Sequence, residues 1–348
     1  AGFANDYARP NAWRYRAYVV RAFNEDKPYR RFVKEQIAGD EIDPADPELL
    51  VATGFLRMGP WEQTGMSVFK ETRQMWLDDV TDSVGQVFLG HAMQCARCHD
   101  HKFDPVPTRD YYRMMAVFST TQFAEREAAF LDDENLAGFK NSDQWVEAKV
   151  AAYAKQRKTL QAKVEKLRKE ESGNARTGDN NLDPGDEASL ARMNKNMVRH
   201  RIELDRTRPL ALAVYTGHTI EKQNIQGRIQ HPEDPWGEGF MQEDTILTGG
   251  NAYAPSEPVQ PGALSAAESL GGMDPSTFPD GKGKRRLALA NWIVDDKNPL
   301  SARVMVNRVW SWHFGKGLAL SLIHISDPTR LESKSRIEYY GFKKGGGG

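Results

Sequence analysis

Phe69 to Gln94 reads FKETRQMWLDDVTDSVGQVFLGHAMQ, and it sets Trp76, Val80, Val84, Val87, Phe88 and His91 at three- and four-residue steps. That is the spacing of one apolar helix face. Continuing the face leads to Cys95-Ala96-Arg97-Cys98-His99, so the cysteines are expected at a helix end. Past them, Asp104-Pro105-Val106-Pro107 forces a turn, because proline disfavours helix in the residue before it. Thr108 with Asp110 can cap a further helix bearing Tyr111, Met114, Met115 and Phe118. Two helices flanking a cysteine motif make this part of the chain mainly α.

Upstream, Asn11 to Asn24 carries Trp13, Val19, Val20 and Phe23 at helical steps, and a second helix begins near Pro28 and ends at Gly39. Tyr29, Phe32, Val33 and Ile37 form its apolar stripe. Asp43-Pro44-Ala45-Asp46-Pro47 is a loop. The absence of an opening Met and the early start of helical sequence lead us to expect that the N-terminus is a cut inside a domain.

Downstream, positions 146, 150, 153, 157, 160, 164 and 167 follow near-heptad spacing. Gly173 to Gly185 is a loop, and Leu190, Met193, Met197 and Leu204 bring a helix back, which makes a helical hairpin that serves as a spacer or packing arm. After Arg208 the texture changes to short β-prone runs, Leu212–Thr216 and Thr245–Thr248, among Gly and Pro loops. Helices return at Leu287–Val294 and Ser301–Phe314, with Ser301 as cap and Gly315 as stop. The expected fold class is mainly α: a helical first domain over 1–131, a long helical hairpin over 132–208, and a truncated α+β domain over 209–319. Leu320 to Arg330, LSLIHISDPTR, reads as the translation of a transposon-type sequencing adaptor, and Gly345–Gly348 fits a read ending in repeated G. Residues 320–348 are therefore expected to be an artefact outside the fold.

The 348 residues carry 47 Lys plus Arg against 48 Asp plus Glu, a formal net charge of -1. No global field favours nucleic acid or an anionic membrane, and no apolar run is long enough to span a bilayer. Both of the chain's two cysteines fall inside one five-residue motif, which argues against a disulfide framework and for a dedicated chemical use.

Covalent haem attachment requires two thiols that reach both vinyl groups and an adjacent imidazole that binds iron. Cys95, Cys98 and His99 meet that demand, with His99 as axial ligand. Met114, Met115, His91, His218 and His231 are candidates for the sixth position. The alternative cofactor is zinc, held by Cys95, Cys98, His99 and His101. Two histidines only two residues apart need an extended loop to close such a site. A third reading is a redox dithiol activated by Arg97, which leaves the histidines without a role. Glu71, Asp78, Asp79 and Asp82 share much of one helix face, and opposite an apolar stripe they read as a solvated surface more readily than as acid/base machinery. No phosphate loop, nucleophile elbow or zinc-protease helix is present.

Three runs carry a family resemblance: Asn11-Ala12-Trp13-Arg14-Tyr15-Arg16, Ala52-Thr53-Gly54-Phe55-Leu56-Arg57, and Cys95 through Pro105. They resemble the planctomycete secreted cytochrome-like family, domain of unknown function 1549. Arg285-Arg286-Leu287-Ala288-Leu289-Ala290 and Asn298 through Trp310 look like its usual partner, domain of unknown function 1553. The resemblance implies a fragment of a larger exported protein, periplasmic or secreted. The expected function is that of a c-type haem-binding protein with an electron-transfer or redox role and an unknown redox partner. The alternative is a non-haem, zinc-type structural or hydrolytic protein acting on an extracellular polymer.

Overall fold

Helix α1 (Ala12–Asn24) buries Arg14, Tyr18 and Ala22, a face spaced by four residues that hydropathy alone does not reveal. In the computed structural model, which describes residues 9–61, 68–170, 184–221, 228–269, 278–279 and 283–319, the apolar positions Val20 and Phe23 are exposed instead. The cause is an ion pair. Arg14 donates to both carboxylate oxygens of Glu134 at 2.7 and 2.8 Å and to the carbonyls of Ala128 and Ala129. A guanidinium so engaged is fully buried at little net penalty, whereas losing its partner would leave an uncompensated charge.

The chain is mainly helical, and among the described residues it forms two small antiparallel sheets. Contacts divide it into two units, residues 1–76, 120–242 and 281–290 in the first and 77–119, 243–280 and 291–348 in the second.

In the first unit, α2 (Tyr29–Ile42) runs past Gly39 through a kink at Ala38, and Gly39 leaves no room for a side chain against the Leu49 carbonyl. Helix α3 (Pro47–Ala52) follows the loop at Asp43–Pro47, and Asp46 caps it by accepting from the amides of Glu48 and Leu49 at 2.8 and 3.2 Å. Tyr18, Leu50, Val51 and Ala52 pack with Ala128, Ala211 and Ala213 in the core. The last three belong to or adjoin β1 (Thr121–Glu127) and β2 (Leu210–Thr216), paired antiparallel from Thr121↔Thr216 to Glu127↔Leu210. Strand β2 matches the β-prone run, whereas β1, ending Glu125-Arg126-Glu127, has a composition that hides it. Buried Arg57 holds its polar end by binding Glu125 at 2.9 Å and the Ala213 carbonyl at 2.9 Å.

Between the strands, α6 (Phe139–Glu170) and α7 (Pro184–Glu203) form the hairpin that the heptad spacing implies. Val146 and Met197 root it, and Trp13 meets Phe139 edge-on at 5.7 Å. Further out, Tyr153 stacks on His200 at 5.6 Å. Most of the loop read at Gly173–Gly185 lies outside the described residues, as does the segment 320–348.

The helix that reaches the motif, whose residues from Leu77 on belong to the second unit, is interrupted. Helix α4 (Phe69–Val84) gives way to a π turn, Gly85–Leu89, which Gly90 closes at φ 72°. The motif begins on a separate 3₁₀ turn, Met93–Arg97. Gly85 makes the reversal possible, because Met93 occupies the place where its side chain would be. Next come α5 (Thr108–Phe118), β3 (Thr245–Leu247) paired with β4 (Pro255–Pro258), α8 (Ser265–Ser269) and α10 (Pro299–Phe314), while α9 (Arg285–Ile293) has its first six residues in the first unit. Two caps differ from expectation. Asp100, not Thr108 or Asp110, accepts from the Thr108 amide at 2.8 Å. Asn298, not Ser301, caps α10, while the Ser301 hydroxyl donates to the Ile293 carbonyl. Gly315 stops α10 at φ 79°, as its position implies. Among the described residues no helix is long and apolar enough to cross a membrane.

Candidate functional site

Cys95 and Cys98 are free and exposed, and His99 beside them is exposed as well. The 3₁₀ turn sets both thiols within one short turn, and Arg97 anchors it. Arg97 Nη2 donates to the Gly250 carbonyl at 2.7 Å, and Nε lies 3.2 Å from Asp78 Oδ2. The Arg97 carbonyl in turn accepts from the Tyr112 hydroxyl at 2.9 Å. Asp78 also accepts from the Tyr111 hydroxyl at 2.6 Å. Burial and the Asp78 charge push both phenols up, Tyr112 to about 12, so each remains a hydrogen donor across the physiological range. Asp78 is therefore not part of a solvated face; it is buried beneath the motif. Nothing local in the sequence sets Asp78 apart from Asp79 and Asp82, because its partners Arg97 and Tyr111 lie on other elements.

The two histidines after the thiols are held in opposite senses. His99 Nδ1 lies 2.7 Å from the Asp100 carbonyl. A carbonyl oxygen only accepts, so Nδ1 carries the hydrogen and Nε2 keeps its lone pair. His101 does the reverse: its Nδ1 accepts from the Asp104 amide at 2.9 Å and from the Phe103 amide at 3.3 Å. Neutral His101 therefore has its hydrogen on Nε2. Asp104 Oδ2 also stands 3.4 Å from His101 Nδ1, but the shorter amide contact fixes that nitrogen as an acceptor. With His101 N–H bound to the Val106 carbonyl at 2.9 Å and Asp100 capping α5, the loop after the motif is closed by its own hydrogen bonds.

The donors suit haem attachment. Two accessible thiols and an imidazole whose outer nitrogen is free are what that chemistry uses, and a backbone carbonyl on the inner N–H is the usual way a protein orients a metal-binding histidine. The zinc set is not gathered. Among the described residues no group of three or more His, Cys, Asp and Glu is arranged to share an ion.

Of the sixth-ligand candidates, Met114 and Met115 are core residues of α5, and His218 and His231 belong to the first unit. His91 is buried, with Nδ1 lacking a hydrogen-bond partner and 3.8 Å from Asp104. Burial lowers its pKa, against the pull of Asp104. His91 lines a cleft of about 950 Å³ together with Asp104, Val106, Leu264 and Arg303, a cleft that the two thiols do not line.

The fold and this turn define a mainly helical protein that presents a Cys-x-x-Cys-His motif to solvent. Residues 1–123 match the family described as a protein of unknown function (DUF1549), and residues 285–325 match another of unknown function (DUF1553). The two matches follow one another along the chain in the order domain of unknown function 1549, then domain of unknown function 1553. The first match includes the whole motif, and the second covers α9 and α10 and runs past residue 319. No curated protein and no solved structure gives a significant match.

Proposed function

We propose that this protein carries haem c, joined to Cys95 and Cys98 and ligated at iron by His99 Nε2, and that it acts in electron transfer or redox chemistry in the periplasm or as a secreted protein. The observation that carries the reading is the bond between His99 Nδ1 and the Asp100 carbonyl, which leaves Nε2 as a neutral donor. When bound, the haem supplies one-electron chemistry. The chain supplies placement: the 3₁₀ turn holds the thiols at the surface, and Arg97 ties that turn to Asp78 and Gly250. The rival zinc site needs His101 as a lone-pair donor, and the amide bonds to its Nδ1 work against that role.

Expression in a periplasm equipped for cytochrome c maturation tests the proposal. A haem-stained band should survive denaturation, because thioether bonds outlast unfolding. Cys95→Ala combined with Cys98→Ala should abolish the stain, and His99→Ala should shift the spectrum of whatever haem is retained. A colourless protein with stoichiometric zinc, lost equally in Cys95→Ala, Cys98→Ala, His99→Ala and His101→Ala, would replace haem with zinc.

A further inference from the structure

We infer that Gly250 positions the Cys98 thiol: the absence of a side chain at residue 250 sets where that sulfur stands. The inference rests on the haem-attachment reading above. Gly249 and Gly250 follow β3 and both adopt left-handed backbone, with φ of 59° and 75°. They share a conformational demand that L side chains meet at some cost, yet their surroundings differ. A Cβ on Gly249 meets nothing within 4 Å, whereas a Cβ on Gly250 would stand 2.9 Å from Cys98 Sγ and 3.1 Å from Arg97 Nε.

The identity of the group that yields decides the consequence. Arg97 is held by its hydrogen bond to the Gly250 carbonyl and by the charge of Asp78. The backbone of the glycine turn is fixed too, through Asn251 N–H to the Thr248 carbonyl at 3.1 Å and Thr248 N–H to the Ala254 carbonyl at 2.9 Å. Cys98 is an exposed free thiol on a single rotatable bond. Any side chain at residue 250 therefore rotates Cys98 Sγ away and leaves Cys95 where it was.

Attachment adds each S–H across a vinyl double bond. One S–C bond forms at one vinyl carbon and the hydrogen ends on the other, so no oxidant is needed. Both additions require sulfurs correctly placed about one ring, and misplacement of a reacting atom by about 1 Å is enough to suppress such a step. Displacing Cys98 alone should yield a haem held by Cys95 alone.

The test compares Gly250→Ala with Gly249→Ala in the full chain. In the apo protein, brief iodoacetamide treatment followed by peptide mass spectrometry gives the Cys98-to-Cys95 modification ratio. Gly250→Ala should raise that ratio, and Gly249→Ala, which introduces the same backbone demand without the contact, should leave it at the wild-type value. After maturation, Gly250→Ala should lose the Cys98 thioether and keep the one at Cys95. Gly250→Asn places a Cβ at the same point on a residue that tolerates left-handed backbone, so it serves if the alanine variant does not fold. Equal ratios in both glycine variants would overturn the inference. A raised ratio in Gly250→Ala from a wild type that never acquires haem would support the role of Gly250 while removing the haem reading, which separates the two claims.

Discussion

Arg97 and Asp78 meet with Nε 3.2 Å from Oδ2, close enough for strong Coulombic attraction but off the line of a hydrogen bond. Arg97, one of the two residues between the cysteines, is thus tied to a buried carboxylate on α4, and that carboxylate is oriented by Tyr111 on α5. One acidic side chain connects both helices that flank the motif.

Removing it should be costly. Asp78→Ala strands the Tyr111 hydroxyl and the Arg97 guanidinium, and a loss of about 3 kcal/mol in urea-monitored stability is expected. Asp78→Asn keeps an acceptor for Tyr111 and should lose less. Equal, small losses in the two variants would show that the carboxylate is dispensable.

His101 shapes the loop through an acceptor, so His101→Ala should cost about 1 to 2 kcal/mol by leaving two amides without a partner. It should leave haem attachment intact. His101→Asn offers an oxygen two and three residues before those amides, as in an Asx turn, and should recover much of the loss. Failure of asparagine to improve on alanine in thermal melts would refute the capping role.

His231 in the first unit gives a pH signature. Burial first, and then the Arg126 charge, lower its pKa, so below about 6.5 the unfolded chain takes up protons that the folded chain resists. This histidine's contribution to stability is fully present above about 6.5 and is lost as pH falls through its lowered folded value. His231→Gln should flatten that part of the curve of urea midpoint against pH between 5 and 8, and parallel curves for the two proteins would count against the assignment.

The hairpin should tolerate trimming from its tip but not from its base. Residues 151–163 are largely exposed, whereas Val146 and Met197 are buried. Replacing 157–192 by a short Gly/Ser turn should leave the melting temperature within a few degrees of wild type. Replacing 143–206 removes both anchors and should lower it further. A large drop from the shorter deletion would mean that the tip packs on the body of the protein.

The long elements were legible in the sequence because periodic apolar residues leave a pattern: α2, α5, the hairpin and α10 all appear in the periodicity. The Cys-x-x-Cys-His motif was legible because two cysteines in a whole chain have few other uses. What escaped were features set by polar partners distant in sequence. The buried face of α1 depends on Glu134, strand β1 depends on Arg57 for its polar end, and Asp78 looks like a surface acid until Tyr111 and Arg97 are placed beside it. The break at Gly85 is equally invisible, since a glycine within a helical pattern does not say that a methionine eight residues later will fill its place. Gly250 lies about 150 residues from Cys98, beyond any local reading.

The pairing of Thr121 with Thr216 has a kinetic consequence. Without the hairpin, bringing β1 to β2 would close a flexible loop of about 95 residues. Helices α6 and α7 depend on contacts local to the arm, so they can zip before the strands meet and carry residues 139 and 203 together. The loop left to close then shrinks to roughly a third of that length, which lowers the entropic barrier by about 1 kcal/mol. The arm would thus speed folding even where it adds little to the finished structure. Stopped-flow refolding should show it: a Gly/Ser segment of equal length in place of 143–206 should slow formation of the first unit several-fold, and an unchanged rate would remove the arm from the folding path.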